Sequence, residues 1–487
     1  MSLGLYISVP FCRTKCSYCN FASDVFSKSA YENYVARVLE DIASSRQLAS
    51  TLGCALDDRA DSIYLGGGTP SILDTPQLLR IFAAVRDQFA VTADAEITVE
   101  CAPGTLTPAL IETLLQGGVN RVSLGVQSFV DQEAQSVGRL HKRSTVLEEI
   151  GRLREAGLGN INIDLIAGLP HQTPEGWAFS VSEAIATGVP HVSVYMLEID
   201  EDSRLGRELI AGGARYHAHF VPDDDATADF YEQACEMLAA AGIAQYEISN
   251  FARVAPRNSE LQNNESRHNL KYWTRQPYLG FGVDAHSMLE PLVWGQAPSP
   301  VQAEQSSAVA GGQRNPGFAT AIDRIDADHP QAIRIATPDS LDAYMNREPH
   351  TVTPVSAQAA IEESFFLGLR LNRGIDLEQL RKELGADLLD CGETHECVDH
   401  RGRAALQGRV SHVKSGWALA PEASRSPQRA FKPVTIATWE SAIQQGIQEG
   451  LLEQQGATLR LTARGRLLSN EVFARFLTEE QKWEPVT

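Results

Sequence analysis

The sequence predicts an α/β fold, a partial (β/α)6-type barrel followed by a small, mainly helical domain. From residue 3 to about 252, short β-branched or apolar runs alternate with helical patterns. Each pair occupies roughly 30 residues, as a βα unit requires. Six or seven such units are too few for a closed eight-fold barrel, so we expect an open or partial one with ligands at the carboxyl ends of its strands.

The elements follow from the hydrophobic pattern. We predict strands at LYISV, SIYLGGG, AEITVE, RVSLGVQ, NINIDLIAG, HVSVYML and QYEISNF. Between them, PQLLRIFAAVRDQF has apolar residues at three- and four-residue spacing, which is typical of a helix packed on a sheet. TPALIETLLQGG adds a Thr-Pro start and a glycine stop. These strands and helices together predict a parallel sheet wound by helices.

Composition divides the chain into four parts: a barrel at 1–252, a barrel extension at 253–294, an insertion and linker at 295–355, and a C-terminal domain at 356–487. The stretch GQAPSPVQAEQSSAVAGGQRNPG is small and polar, so it cannot bury enough apolar surface to order itself. We expect a second such insertion at about 398–432. The remaining C-terminal segments read as helices with a short hairpin, which predicts a winged-helix-like domain.

Charge and composition exclude several function classes. The chain has 487 residues, 43% of them hydrophobic, a net charge of -20 and a pI of about 5.1. This acidity disfavours binding to nucleic acid or to an anionic membrane. We find no secretion signal and no apolar run of membrane-spanning length, so we expect a cytoplasmic protein without a membrane segment. Eight cysteines are too few for a disulfide scaffold, so we expect reduced thiols.

Three of these cysteines, Cys12, Cys16 and Cys19, lie together in PFCRTKCSYCNF after the first predicted strand. We call residues 12–19 the cysteine loop. Three close thiolates can hold three corners of a [4Fe-4S] cube and leave the fourth iron open to a chelating cofactor. The alternatives are half of a zinc site completed from elsewhere and a redox pair in CSYC.

The Cys-x3-Cys-x2-Cys spacing, with Tyr18 before the third cysteine, resembles the radical S-adenosylmethionine (SAM) superfamily. The glycine-rich GGGTPS after the second strand strengthens this resemblance. More specifically, the chain resembles the coproporphyrinogen III oxidase-like family that contains HemN and HemW. The similarity covers about residues 3–290 and returns more weakly from about 356. The resemblance implies a [4Fe-4S] cluster held by the three cysteines, with SAM bound to it.

The resemblance also implies a SAM site built from polar residues at successive strand ends. The positions it assigns are Tyr6, Tyr18, Gly67, Gly68, Thr69, Glu100, Gln127, Arg139 and Asp164. The glycines would let the backbone approach SAM closely and expose N–H groups to it, at its methionine amino group. Alternatively, Arg139 and Asp164 form an ion pair and Glu100 is a solvated strand end. The family usually has Asn-Pro-Gly after this glutamate, where this chain has Cys101 and Ala102, so a supporting hydrogen bond is in doubt.

Two further features bear on heme. HemN-like oxidases have an additional cysteine at the position of Phe21, so the chain is closer to the heme chaperones of the HemW type. SRHNLKYW matches their HNxxYW signature, which implies heme contacts from His268, Asn269, Tyr272 and Trp273. An imidazole can ligate heme iron and aromatic rings can stack on a porphyrin. The alternative is a hydrogen-bonded core histidine with packing aromatics. His286, in YLGFGVDAHSM, is a weaker second candidate.

Two functions from different classes therefore remain. The favoured one is a heme chaperone that passes heme to an unidentified acceptor protein, which could lie at a membrane. The alternative is an oxygen-independent coproporphyrinogen III oxidase or a related radical SAM enzyme, so the sequence leaves enzymatic activity open. A scaffold without SAM would leave the strand-end residues unexplained. A homodimer and a minor metal site at Cys391, His395, Cys397 and His400 are also left open.

Overall fold

The computed structural model describes residues 2–254, 264–292, 330–383 and 436–477. The chain divides into two compact units, Met1–Ala360 and Ile361–Thr487. The insertion expected at 398–432, the polar stretch at 295–317 and the candidate metal site at 391–400 lie outside the described residues. No helix in the described ranges is both long enough and apolar enough to cross a bilayer.

The first unit is built on one twelve-stranded sheet with the order β12-β11-β10-β9-β1-β2-β3-β4-β5-β6-β8-β7. Strands β1 to β6 and β9 run parallel, in the order β9-β1-β2-β3-β4-β5-β6. Strand β1 is buried along almost its whole length, as expected for a sheet covered on both faces. The strands are Leu3–Val9, Arg59–Gly67, Ala90–Cys101, Arg121–Gln127, Ile161–Ala167, His191–Met196, Ile243–Gln245, Asn250–Arg253, Tyr278–Phe281, His286–Leu289, Ala332–Ala336 and Thr351–Val355 (β1 to β12).

Helices connect these strands, and several begin at the capping residues that the sequence suggests. Asp74 and Gln77 form a reciprocal capping box at the start of α2, and Thr107 accepts the N–H of Leu110 at the start of α3. The helices of this unit are Lys28–Thr51, Thr75–Gln88, Pro108–Gln116, Asp131–Ser136, Arg143–Glu155, Pro174–Ala186, Arg204–Ala211, Asp224–Ala240, Arg267–Trp273 and Leu341–Met345 (α1 to α10). Two 3-10 turns, Pro70–Ile72 and Ala218–Phe220, complete it.

This architecture confirms the predicted α/β class: six βα-linked parallel strands form an open barrel sheet whose first and sixth strands are not neighbours. Two details differ from the prediction. The segment QYEISNF is not one strand, because the N–H groups of Tyr246 and Glu247 bond to the carbonyl of Asn250 and turn the chain into the β7–β8 hairpin. Strand β8 pairs antiparallel with β6. Residues 332–355, predicted as linker, form β11, α10 and β12, and β11 pairs with β10.

The second unit is small and mainly helical, as predicted. Its strands β13 to β15, Ile375–Asp376, Leu452–Gln455 and Thr458–Leu461, form a sheet in the order β13-β15-β14. The rings of Phe365 and Phe476 stack 4.5 Å apart in its core, and Trp439 donates its indole N–H to the carbonyl of Phe476. Helix α11, Ala357–Gly368, leads into this unit, and the others are Leu377–Glu383, Ile436–Gln448, Ala463–Leu467 and Ser469–Ala474 (α12 to α15).

Candidate cofactor site

The cysteine loop leaves the carboxyl end of β1 and is anchored by backbone hydrogen bonds on both sides. The N–H of Cys12 donates to the carbonyl of Asp24 over 3.0 Å. The N–H of Ser17 donates to the carbonyl of Val137 over 3.1 Å, and the carbonyl of Ser17 accepts from Leu205 at the start of α7 over 2.8 Å. Because these anchors lie on three different segments, the loop is fixed at the rim of the barrel where the strands end.

The three cysteines of this loop are reduced thiols. Cys16 is buried and the other two are partly exposed. Burial raises the pKa of the Cys12 and Cys19 thiols, and repulsion between the loop's thiolates adds to it. The hydroxyl of Thr69 donates to Cys12 Sγ over 3.7 Å, which opposes that rise. Within the described ranges no three Cys, His, Asp or Glu side chains are arranged around a single metal ion, so the half-zinc-site alternative finds no completing ligands there.

The glycine segment at the end of β2 packs tightly, but its N–H groups are not exposed as expected. A Cβ at Gly68 would lie 2.8 Å from the carbonyl oxygens of Val9 and Phe11. The N–H of Gly68 donates to Val9 and that of Thr69 to Phe11, each over 2.8 Å. The N–H of Gly67 donates to the carboxylate of Glu100. The glycines therefore allow β2 to approach residues 9–11, which lead from β1 into the cysteine loop. The expectation of free donors for SAM is wrong for these groups.

Glu100 lies at the carboxyl end of β3, next to the glycine segment. Its Oε1 accepts the hydroxyl of Tyr64 over 2.8 Å. A Cβ at Gly66 would lie 3.1 Å from this oxygen and 3.1 Å from the ring of Tyr6. The Glu100 carboxylate and the Tyr6 ring therefore both pack against the backbone of Gly66. Burial raises the pKa of Glu100 to about 7, with repulsion from Asp164 adding to it and the Tyr64 hydrogen bond opposing it. The carboxyl is therefore poised to change charge near neutral pH.

Gln127 ends β4 in a conformation that redirects its side chain. The β4–β5 register shifts between Gly125 and Gln127, which indicates a bulge. Gln127 has a left-handed backbone with φ of 69°, which non-glycine residues rarely adopt. Its side chain is buried, and Oε1 has no hydrogen-bond partner among the described residues. A buried acceptor without a partner at a strand end is suited to accept a hydrogen bond from a bound ligand.

Arg139 and Asp164 do not form the ion pair that was the alternative reading. Arg139 Nη2 instead donates to the hydroxyl of Tyr18 over 3.3 Å. Its buried Nε has no partner within the described ranges. Asp164 accepts from Asn162 over 2.7 Å and from Ser123 over 3.2 Å. Burial raises the pKa of Asp164, and these hydrogen bonds oppose that rise.

Two hydroxyl groups hold the turn after Glu100, where this chain has Cys101 and Ala102 instead of the family's usual residues. The N–H of Ala102 donates to Ser71 Oγ over 3.3 Å, and its carbonyl accepts the hydroxyl of Thr105 over 2.6 Å. The side chain of Cys101 is buried. The turn after β3 is therefore held by two hydroxyl groups, so the lost asparagine does not leave it unsupported.

These observations fit a SAM-chelated [4Fe-4S] cluster. The rim formed by the carboxyl ends of β1 to β4 holds the three thiols, the glycine segment, Glu100, Gln127 and Arg139. Two of their buried polar atoms, Gln127 Oε1 and Arg139 Nε, have no hydrogen-bond partner in the described part of the chain. A sulfonium amino acid with a ribose needs both carboxylate acceptors and guanidinium or amide groups. When bound, such a cluster supplies an electron to the sulfonium of SAM.

His268 lies deep inside the barrel, near the amino-terminal halves of the strands. It is 1% exposed and is the second residue of α9, whose first two N–H groups bond to Glu96 on β3. Its Nδ1 bonds to Ser62 Oγ over 3.1 Å and its Nε2 to the hydroxyl of Tyr272 over 2.8 Å. Burial lowers the pKa of His268 to about 3, with the charge of Lys271 adding to it. The ring is a neutral, fully hydrogen-bonded imidazole.

His268 is thus a hydrogen-bonded core histidine, which was the alternative to heme ligation for the HNxxYW segment. Trp273 is buried, while Asn269 and Tyr272 are partly buried. An iron ligand role for His268 stays a prediction, and it requires the bond to Tyr272 or to Ser62 to break. His286 begins β10, and its Nε2 lies 3.7 Å from a carboxylate oxygen of Asp284.

Two interior residues escaped the sequence analysis. Tyr64 binds Glu100 directly and stacks on the imidazole of His268 at 5.3 Å, so it connects the rim with the barrel floor. Arg121 is a cation only 2% exposed at the start of β4, and its charge lowers the pKa of Glu100 and Asp164. The two-residue period of β2 places Ser62, Tyr64 and Gly66 on one face, a signal that could have identified Tyr64.

Two protein-family profiles and several named relatives match parts of the chain. The Radical SAM superfamily profile matches residues 6–181, and the HemN C-terminal domain profile matches residues 355–399. The chain is 34% identical over 284 residues to the heme chaperone HemW of Lactococcus lactis, covering 58% of this chain and 69% of that one. It is 28% identical over 475 residues to HemW of Bacillus subtilis, covering 97% and 99%.

A solved structure shares the fold along nearly the whole chain. Coproporphyrinogen III oxidase HemN of Escherichia coli superposes with a TM-score of 0.67 at 19% identity, covering 98% of this chain and 90% of that one. At this identity the likeness concerns the fold alone. The profile matches, the HemW relatives and the shared fold show that the chain belongs to the radical SAM superfamily, in the coproporphyrinogen III oxidase-like family of HemN and HemW.

Proposed function

We propose that this chain is a heme chaperone, which binds heme together with a SAM-chelated [4Fe-4S] cluster and transfers the heme to an acceptor protein. The observation that carries the proposal is the similarity to HemW of Bacillus subtilis along 97% of this chain and 99% of that one. A match over both full lengths includes the C-terminal part as well as the barrel. The acceptor would be another protein met in the cytoplasm or at a membrane surface, and not a nucleic acid.

In this proposal Cys12, Cys16 and Cys19 hold the iron–sulfur cluster at the barrel rim. Glu100 and Asp164 provide carboxylates for the hydroxyl and ammonium groups of SAM, while Gln127 and Arg139 provide an amide and a guanidinium. Tyr18 supports Arg139 through its hydroxyl. The support for these roles is their shared location at the strand ends and the unsatisfied Gln127 Oε1 and Arg139 Nε.

Phe21 favours the proposed chaperone function over the oxidase alternative. It occupies the position where oxidases of the HemN type have a further cysteine, and its side chain is 48% exposed. A phenyl ring supplies neither a thiolate ligand nor a redox group. This supports a carrier rather than an enzyme of porphyrinogen decarboxylation.

The test uses the full chain, reconstituted anaerobically with iron and sulfide and mixed with hemin and SAM. We expect a stable Soret band and no formation of 5′-deoxyadenosine. In parallel, coproporphyrinogen III with SAM and a reductant should give no protoporphyrinogen IX. Sustained turnover of the porphyrinogen, or failure to take up hemin, would refute the chaperone function.

A further inference from the structure

Three partly exposed histidines lie together on two loops of the first unit, away from the HNxxYW segment. His171 is in the loop after β5, and His217 and His219 are at the 3-10 turn after α7. His171 Nε2 and His217 Nδ1 are 3.1 Å apart, with their rings edge to face at 4.9 Å. We call His171, His217 and His219 the histidine cluster.

The bond between the first two rings leaves one ligating nitrogen available. If His217 Nδ1–H donates, its Nε2 carries an open lone pair; if His171 Nε2–H donates, the open lone pair is on His171 Nδ1. Neither of these outer nitrogens bonds to any residue in the described part of the chain. Metal-bound histidines almost always donate their other ring N–H to a partner, which fixes the tautomer, and the histidine pair already has this arrangement.

An apolar surface adjoins the pair. Phe220 is 47% exposed, and its ring centroid lies 4.1 Å from that of His171 and 4.1 Å from that of His219. Leu209 and Ile210, the exposed end of α7, are 54% and 68% exposed. A flat apolar macrocycle needs both an exposed aromatic face and neighbouring aliphatic side chains.

Hydrogen bonds join α7 to the histidine cluster. The carboxylate of Glu208 accepts the N–H of Tyr216 over 2.8 Å and that of Ala218 over 3.1 Å. The N–H of His171 donates to the carbonyl of Phe220 over 3.0 Å, which ties the two loops together. These hydrogen bonds join α7 and the loop after β5 to the turn that carries His217, His219 and Phe220.

The cluster is also close to the cofactor rim. Leu169, two residues before His171, packs with Val137 and Ile166 in an apolar cluster that Tyr18 of the cysteine loop contacts. Arg215, exposed beside Tyr216, is a cation within reach of the same turn and can pair with a carboxylate. Heme combines an iron that takes imidazole, an apolar ring and two carboxylates, which are the groups that the imidazoles, Phe220 and Arg215 can contact.

We propose that heme docks on this surface, with one imidazole of the His171–His217 pair as the axial ligand of the iron and Phe220 against the porphyrin face. The inference rests on the proposed heme function and names the residues that hold the ligand. It differs from the HNxxYW assignment, in which His268 is the ligand.

The test is a hemin titration of the full chain, followed by the Soret band. We expect the double variant His171→Ala/His217→Ala to bind hemin at least about tenfold more weakly and with a shifted Soret maximum. Phe220→Ala should weaken binding without changing the position of the Soret maximum. His350→Ala, which removes a partly buried histidine from another loop, is the matched control and should bind like the parent protein.

Two results would overturn the inference, and they differ in what else they imply. If the parent chain binds hemin and the double variant binds it equally well, while His268→Ala loses it, the docking site is wrong and the chaperone function stands. If the parent chain does not bind hemin, the proposed function fails together with the site. Should the alanine variant not fold, as judged by circular dichroism, His171→Gln/His217→Gln keeps side-chain size and polarity and carries the same expectation.

Discussion

Protonation of Glu100 should control the affinity of the chain for SAM. Burial raises the pKa of this carboxyl to about 7. By that value the group is about one tenth ionised at pH 6 and about nine tenths ionised at pH 8. SAM carries a permanent sulfonium charge, so it should bind the ionised form, and Glu100 alone should make binding about tenfold weaker at pH 6 than at pH 8, or about 1.4 kcal/mol.

The same shift has the opposite effect on folding. The pKa in the folded chain is raised from 4.5 to about 7, so the unfolded chain loses this proton at a lower pH than the folded chain does. The contribution of Glu100 to stability is therefore fully present below pH 4.5 and is lost as the pH rises to about 7. At pH 8 the buried charge costs about 3 kcal/mol.

Glu100→Gln separates these effects. The amide keeps an acceptor for Tyr64 but carries no charge, so SAM binding should weaken at pH 8 and lose the part of its pH dependence that Glu100 causes. The free energy of unfolding in urea should be up to about 3 kcal/mol higher for this variant than for the wild type at pH 8, and equal for both at pH 4. The amino group of SAM itself titrates near pH 8, so the variant is also the reference for the wild-type curve.

The measurement is calorimetric titration of SAM into anaerobically reconstituted protein at pH 6, 7 and 8. Glu96→Gln is the matched control, because Glu96 is a buried carboxyl on the same strand that binds the N–H groups of Arg267 and His268. It should leave SAM affinity unchanged. If Glu100→Gln and the wild type show the same affinity at each pH, Glu100 does not contact SAM as argued.

Three further outcomes are expected. Replacing all three cysteines of the cysteine loop by serine should remove bound iron, sulfide and visible absorbance, whereas Cys54→Ser should retain them; retained iron in the triple variant would contradict the ligand assignment. Gly68→Ala should lower the free energy of unfolding in urea by about 1–3 kcal/mol, because the new Cβ would meet two backbone oxygens at 2.8 Å. Gly151→Ala in α5, where nothing lies within 4 Å, should be neutral or stabilising, and equal losses in both would count against the packing argument. Because burial lowers the pKa of His268 to about 3, the free energy of unfolding of the wild type should fall by about 1.4 kcal/mol per pH unit from this group between pH 6.5 and about 3, and His268→Gln should lack that loss.

The parallel core of the fold could be predicted because each βα unit carries its own signal. Strands β1 to β6 alternate with amphipathic helices, and local periodicity is sufficient to find them. The β7–β8 hairpin was missed because the apolar run QYEISNF does not show where it turns; the turn is made by hydrogen bonds to Asn250. Strand β11 pairs with β10 across a long stretch of sequence, and β12 adds to β11; such distant pairing leaves no local pattern.

The candidate site was predictable where spacing itself encodes the chemistry, as in the cysteine loop. Spacing does not report depth, so the HNxxYW signature gave no indication that both nitrogens of His268 are bonded inside the barrel. Glycines indicate close approach but not which group approaches, and here it is the backbone of residues 9–11 rather than a ligand. The pairing of His171 with His217 joins residues 46 positions apart, which only the fold brings together.

Peptide groups of Asp24, Val137 and Leu205 anchor the cysteine loop through hydrogen bonds to its backbone. Three segments of the polypeptide thus fix the path of the loop. We therefore expect the barrel backbone to position Cys12, Cys16 and Cys19 before iron and sulfide bind.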